Sequence, residues 1–356
     1  MRPRPFAVVS LVLVATACSP AGYRGPVSAH FDGDQFHNDP AAPHPGFLEL
    51  LRWQVTADRI AWPDWEDWAP GHGPTKPPAL VEDGVRVTWV NHSTMLIQMA
   101  GVNVLADPVW SDRVGPTSWL GPTRHHAPGV RFEDLPHIDA VVLSHDHYDH
   151  FDLPTLERLT ARDAPKVFAG LGTHALLEGD DIRPHKELDW WQCASVGTVR
   201  ICALPAQHNG RRGLTDRDER LWVSFWISSA AGSVYFAGDT GFGPHFARIH
   251  ERLGSPCVAL LPIGAYKPRW FMQTSHMNPE DAVRAHDALR PELSIAMHFA
   301  TFRQSDEGMY EPAGELYLAL AHGKRAPFVV PEFGESHLVH CPAGGGAGAA
   351  ALPDAR

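Results

Sequence analysis

A layered α/β domain is what this sequence predicts, on two patterns and their order along the chain. From residue 85, "VRVTWV", "TMLIQM" and "VNVLA" are short β-rich runs separated by turns, and the alternation in the first suits a sheet with one face buried. Helical periods then interleave: "LPTLERLTAR", "GTHALLE", "PHFARIHERL" and "PEDAVRAHDAL" alternate with the strand-like "KVFAG", "TVRICAL", "LWVSFWI", "SVYFAGD", "VALLPIG" and "LSIAMHF". Strands first and a mixed pattern afterwards, with no repeat period, imply helices layered on sheet. No linker divides the stretch, so one domain is expected over residues 81–340.

Residues 19–80 read as an aromatic-rich extension. "HNDPAAPHPG" is a Pro/Gly break, "FLELLRWQV" a short helix, and "WPDWEDWAPGHGPTKPP" is dense in tryptophan. That density argues against a loose linker; packing across the domain is expected, with a lipid-touching surface as the alternative. Residues 341–356 read as a flexible tail.

The chain of 356 residues is 44% hydrophobic and 20% charged, enough to bury a large core, which excludes a disordered class. A formal net charge of −11 and a pI near 6.0 disfavour nucleic acid as a partner, because phosphate-backbone binding needs a basic face. A phosphate-bearing substrate stays open, since a metal centre can supply the local positive charge. Histidine is the outlier, with 22 residues.

Arg2 and Arg4 precede "FAVVSLVLVATA", an apolar run too short to span a bilayer, so residues 1–18 read as an export signal. "ATAC" resembles a bacterial lipoprotein processing box that would leave Cys18 lipidated and N-terminal, although Ala15 stands where leucine is usual. An ordinary cleaved signal with an incidental cysteine is the alternative. The expected location is the bacterial cell envelope, membrane-anchored through Cys18, or otherwise periplasmic or secreted. One acyl chain holds a protein only marginally, so anchoring would need multiple acylation. Cys193, Cys202, Cys257 and Cys341 lack CxxC spacing; an oxidising compartment permits disulfides, and Cys193 with Cys202 could flank a hairpin, but the pairing stays open.

The chemistry concentrates in "SHDHYDHFD". His145 and His147 are two apart and project to one side of an extended segment. Asp149 and His150 follow where the chain turns toward a helix, so they can face a second point nearby. Such clustering implies a cation among the side chains, and these four residues cannot fill the coordination of two ions. His208 in "ALPAQHNG", Asp239 in "VYFAGDTG" and His298 in "SIAMHFAT" each follow a strand-like run, and strand ends on one sheet edge are where α/β folds build sites. Five histidines and two aspartates suit two ions.

"HDHYDH" matches the His-x-His-x-Asp-His signature, and the chain resembles a metallo-β-lactamase fold hydrolase. "SHDHYDHFD", "PAQH", "GDTGF", "GAYKPRWFM", "HMNPEDAV" and "MHFATF", between about residues 85 and 305, are similar to the N-acylphosphatidylethanolamine-hydrolysing phospholipase D group. The resemblance implies a four-layer αββα sandwich and two zinc ions. His145, His147 and His208 would hold one zinc, Asp149, His150 and His298 the other, and Asp239 would bridge. It further implies a hydroxide between the metals, oriented by Asp149 and Asp239, attacking phosphorus in a phospholipid or other amphipathic phosphodiester, with His276 as a proton donor to the leaving group. Capping of the following helix is an equal explanation for His276. Asp107 resembles the family's aspartate that orients a metal histidine, or it caps a turn before Pro108; His92 would sit beneath the metals, or in the core. Asp146 and Tyr148 receive no role, and His125 and His126 read as loop residues.

Relatives of this kind often dimerise, and a homodimer is an expectation that no segment localises. Two other functions fit the same residues: a lactonase of the superfamily, and a non-catalytic zinc-binding envelope lipoprotein.

Overall fold

The computed structural model describes residues 22–355 apart from 69–72, 184, 323–325, 343–348 and 350. The expected signal segment and Cys18 lie outside the described residues.

Period-two alternation builds the first sheet from β1 (Val85–Asn91), β2 (Thr94–Met99), β3 (Val102–Ala106), β4 (Ala140–Leu143), β5 (Lys166–Gly170) and β6 (His185–Leu188), in that spatial order. Val87, Trp89, Met95, Ile97, Val104, Val142 and Phe168 point into the core between the sheets. Their strand neighbours Val90, Leu96, Leu105, Val141, Leu143 and Val167 point the other way, into a second apolar cluster. Both faces are therefore buried, and two helices cover the outer one.

The first of these, after α1 (Phe47–Thr56) in the extension, is α2 (Leu153–Asp163). It has proline in its first turn, buries Leu156 and Leu159, and ends where Ala164 turns left-handed and donates its N–H to the Thr160 carbonyl at 3.0 Å. The second is α3 (His174–Gly179), which buries Leu176 and Leu177.

The second sheet repeats the plan with β7 (Cys193–Val196), β8 (Val199–Leu204), β9 (Ser224–Ser229), β10 (Gly232–Phe236), β11 (Val258–Pro262), β12 (Leu293–Met297) and β13 (Phe328–Val329). In both sheets the early strands pair antiparallel and the later ones parallel. Parallel neighbours need crossovers, which α4 (His245–Leu253), α5 (Arg269–Met272), α6 (Pro279–Leu289) and α7 (Glu311–His322) provide. Helix α6 packs on β11 between α4 and α7, and β14 (Ser336–Val339) returns to pair with β1. The architecture is the αββα sandwich. Each fully buried Trp or Phe between the sheets contributes about 1.5–3 kcal/mol.

Two disulfides close the framework. Cys193 and Cys202 are register partners on β7 and β8, while Cys257–Cys341 joins the entry of β11 in one sheet to the exit of β14 in the other. The tail, expected to be flexible, is held at its described residues: Cys193 donates its N–H to the Pro353 carbonyl at 3.0 Å, and Arg200 pairs with Asp354 at 2.7 Å. In the extension, Phe31 and Phe36 are buried against the sandwich and Trp53 packs on Phe271 of α5.

Candidate metal centre

The ends of β3, β4, β8, β10 and β12 converge on one edge of the sandwich and bring all seven expected ligands together. His145 Nε2 lies 2.9 Å from His147 Nδ1, which lies 3.3 Å from His208 Nε2. A few ångströms on, His150 Nε2 lies 3.1 Å from Asp149 Oδ2 and 3.3 Å from Asp239 Oδ2, and His298 Nε2 lies 2.9 Å from Asp239 Oδ2. Donors at about 2.0–2.1 Å from a tetrahedral ion stand roughly 3.3 Å apart, so these separations suit metal coordination. His150 Nε2, His298 Nε2 and Asp239 Oδ1 are buried without a hydrogen-bond partner, the condition of atoms whose partner is an ion. The residues present fit divalent metals.

Surrounding groups fix which nitrogen faces inward. Asp107 accepts from His150 Nδ1 at 2.7 Å and from the Ser144 N–H at 2.8 Å, which leaves His150 Nε2 toward Asp149 and Asp239. His208 Nδ1 donates to the Ser275 carbonyl at 2.9 Å, leaving Nε2 toward His147. His92 Nε2 lies 2.8 Å from Asp149 Oδ2 and is buried beneath the centre. His92, Asp107 and His298 all have left-handed backbones, with φ of 44°, 40° and 61°, strain that clusters where geometry must be held. Gly264 shows how tightly: a Cβ there would stand 2.0 Å from the His298 carbonyl oxygen.

Charge is unevenly distributed. Burial would push Asp149 up, but His150, His298 and His92 hold it well below the ordinary carboxylate range. Burial works against a charged His298, yet Asp239 and Asp149 prevail and raise it to about 9. In the metal-free fold His298 therefore carries a proton at pH 7. The stability that proton brings is full below pH 6.5 and is lost as pH rises toward about 9. A metal must displace it, so divalent-metal affinity should climb across that window with proton release. Calorimetry in buffers of different ionisation enthalpy checks this; a pH-independent affinity contradicts it.

The Beta-lactamase superfamily domain pattern matches residues 102–299. The chain belongs to the β-lactamase superfamily. It is 38% identical over 281 residues to N-acyl-phosphatidylethanolamine-hydrolyzing phospholipase D 1 of Caenorhabditis elegans, across 75% of this chain and 79% of that protein. It is 32% identical to the mitochondrial N-acyl-phosphatidylethanolamine-hydrolyzing phospholipase D of Saccharomyces cerevisiae, across 70% of this chain and 55% of that one. Among solved structures it shares its fold with Igni18, a metallo hydrolase from Ignicoccus hospitalis, with a TM-score of 0.54 and 24% identity, covering 72% of this chain and 99% of that one. This protein is a metal-dependent hydrolase of the superfamily.

In this superfamily centre, a cavity of about 300 Å³ opens over the ligands, lined by His147, Asp149, Asp239 and His276 together with the apolar Val114 and Met272. His276 Nδ1 is buried without a hydrogen-bond partner, 3.7 Å from Asp239 Oδ2. Burial lowers this imidazole to about 4, leaving it neutral at pH 7. The helix cap that competed for His276 is instead Asn278, whose Oδ1 accepts from the Asp281 N–H at 2.9 Å. Asp146, which had no expected role, accepts from the Arg211 N–H at 2.8 Å and pairs with buried Arg220 at 3.1 Å, bracing the motif loop. Tyr148 donates to the Arg212 carbonyl at 2.9 Å.

Sequence reasoning missed Asn38 and His44. Asn38 Oδ1 accepts from the His208 N–H at 3.0 Å and Nδ2 donates to the His208 carbonyl at 2.9 Å, a two-point clamp on a ligand's backbone. His44 bridges Asn38 at 3.0 Å and Ser275 Oγ at 3.2 Å. Asn38→Ala should therefore lower kcat about 10-fold or more while leaving the fold intact, since removal orphans two buried backbone groups beside His208. Steady-state kinetics with circular dichroism checks it; unchanged kcat would show that the clamp is dispensable.

Proposed function

We propose that this hydrolase is a phospholipase D-type phosphodiesterase that holds two zinc ions and cleaves N-acylphosphatidylethanolamine or a similar amphipathic phosphodiester. The observation that carries the reading is the pair of donor sets sharing Asp239 beneath a cavity lined by both polar and apolar side chains. The names borne by the nematode and yeast relatives support the substrate class. Two divalent ions would supply Lewis acidity and lower the pKa of water at the shared carboxylate. Asp149 and Asp239 present acceptor oxygens that hold the attacking water in line with phosphorus. Water adds at phosphorus and passes a proton to the Asp149 or Asp239 carboxylate, the bond from phosphorus to the head-group oxygen breaks, and that oxygen leaves as an alcohol with the proton the carboxylate returns. His276, neutral and therefore not the proton donor expected, contributes an N–H hydrogen bond to the oxygen as it gains charge. Val114 and Met272 keep the apolar part of the substrate out of water. Export and lipidation at Cys18 belong to the same proposal, because they would put the cavity beside its lipid.

The test is hydrolysis of bis(p-nitrophenyl) phosphate and of N-acylphosphatidylethanolamine vesicles by the chain begun after Cys18, with metal content measured alongside. Turnover of both, lost on chelation and restored by zinc, supports the proposal. Lactone hydrolysis without phosphodiesterase activity would move the assignment to a lactonase, and two bound metals without any turnover would move it to a binding protein.

A further inference from the structure

Three side chains at the edge of the first sheet repeat, outside the metal centre, the donor arrangement found within it. His174 opens α3, Glu178 stands one turn further along that helix, and His185 opens β6, the edge strand. His174 Nδ1 lies 2.9 Å from His185 Nε2. His147 Nδ1 and His145 Nε2, the same two kinds of ring atom, stand 2.9 Å apart in the centre. Metal-ligating atoms of His174, Glu178 and His185 all lie within 4.8 Å of one another, and none of the three residues belongs to the centre.

The outer nitrogen of each ring faces an acceptor. His185 Nδ1 lies 2.9 Å from the Ile182 carbonyl oxygen, which can only accept, so this nitrogen carries the ring proton and Nε2 keeps its lone pair. His174 Nε2 lies 3.3 Å from Glu178 Oε2, and a carboxylate likewise draws the proton to the nitrogen it faces, which turns the Nδ1 lone pair inward. Two lone pairs then meet at 2.9 Å, a contact that a cation relieves. In the centre, His150 and His208 are oriented in the same way, by Asp107 and by the Ser275 carbonyl.

Neighbouring charge permits a cation. Glu187 accepts from the His174 N–H at 2.7 Å, Glu178 Oε1 lies 3.4 Å from Arg183, and Arg183 lies 3.2 Å from Asp181, so carboxylates outweigh the guanidinium. Lys186 turns its amine away to the Ala355 carbonyl at 2.8 Å. His174 and Glu178 are exposed, so an ion can enter from solvent.

We propose that His174 and His185, with Glu178 behind His174, form a further binding site for a divalent transition-metal ion such as zinc. The two inner nitrogens would be its protein ligands and water would complete the open side. Imidazole favours zinc, nickel and copper over calcium and magnesium. Bound there, the ion would tie the start of α3 to the edge strand β6. Occupancy requires neither the phosphodiesterase reading nor a particular number of ions in the centre.

Titration calorimetry with zinc tests it on the full chain after its centre has been loaded and loosely held metal dialysed away, comparing wild type with His174→Gln and His185→Asn. Wild type should take up one more zinc ion than either variant, with a Kd tighter than about 0.1 mM, while the metal retained before titration is the same in all three. Calcium should produce no such difference. His174 is exposed, so its substitution leaves folding untouched and the test stands even if His185→Asn fails to fold. Equal zinc uptake in wild type and both variants would assign the contact to a plain imidazole–imidazole hydrogen bond and overturn the proposal. Calcium uptake matching that of zinc would reduce it to diffuse attraction by the carboxylates and overturn it as well.

Discussion

Asp239→Asn abolishes turnover, by about 10³-fold or more, and strips metal from the protein; this is the largest effect we expect from a single substitution. Asp239 stands among both donor sets, grouping with His208 and His276 on one side and within 3.3 Å of His150 and His298 on the other. Asparagine keeps the shape but removes the charge and one acceptor. Two effects follow from that loss. Mutual repulsion among the imidazoles is no longer offset, so metal affinity falls in both sets. His298, raised to about 9 chiefly by Asp239 against the cost of burial, drops toward its ordinary range. Metal analysis after dialysis, with NMR titration of the metal-free variant, reads both. Full metal content with normal turnover would remove Asp239 from the centre.

Asp107→Asn should lower metal affinity about 10–100-fold while leaving activity recoverable with excess metal. One Asp107 oxygen accepts from the Ser144 N–H, and the other from Ser144 Oγ and His150 Nδ1. An amide cannot satisfy both sides. If its oxygen faces the Ser144 N–H, its NH2 meets the His150 Nδ1 proton; if flipped, its NH2 meets the Ser144 N–H. Either arrangement favours the wrong tautomer or a rotated ring at His150. Competition with a chromophoric chelator measures the affinity, and rescue by added metal separates this positioning role from the direct one at Asp239. No shift in affinity would mean that His150 holds its orientation without the carboxylate.

The convergence of the seven candidate ligands was legible because histidines and aspartates in tight spacing have few other uses, and because each remaining candidate followed a strand-like run. Asp107 and His92 are single polar residues after strands, so only resemblance pointed to them; the structure supplies their partners. Asn38 and His44 carried no signal, since their contacts with His208 and Ser275 span 170 and 231 residues of sequence. The fold was legible in outline wherever apolar alternation was strong. "LWVSFWI" reads as one strand, yet β9 starts at Ser224, because Leu221 and Val223 spend their N–H groups on the Leu171 and Ser144 carbonyls. Strands β6, β13 and β14 lacked an apolar pattern because they are short and line the sheet edges.

The clamp from Asn38 changes what counts as the heritable unit of this enzyme. A chain begun at residue 81 would carry every metal ligand and every strand of both sheets, and still leave the backbone of His208 without its two buried partners. Shuffling the domain onto another leader would then transmit the ligands without their alignment, so residues 22–68 and the sandwich must travel together for chemistry to survive the exchange.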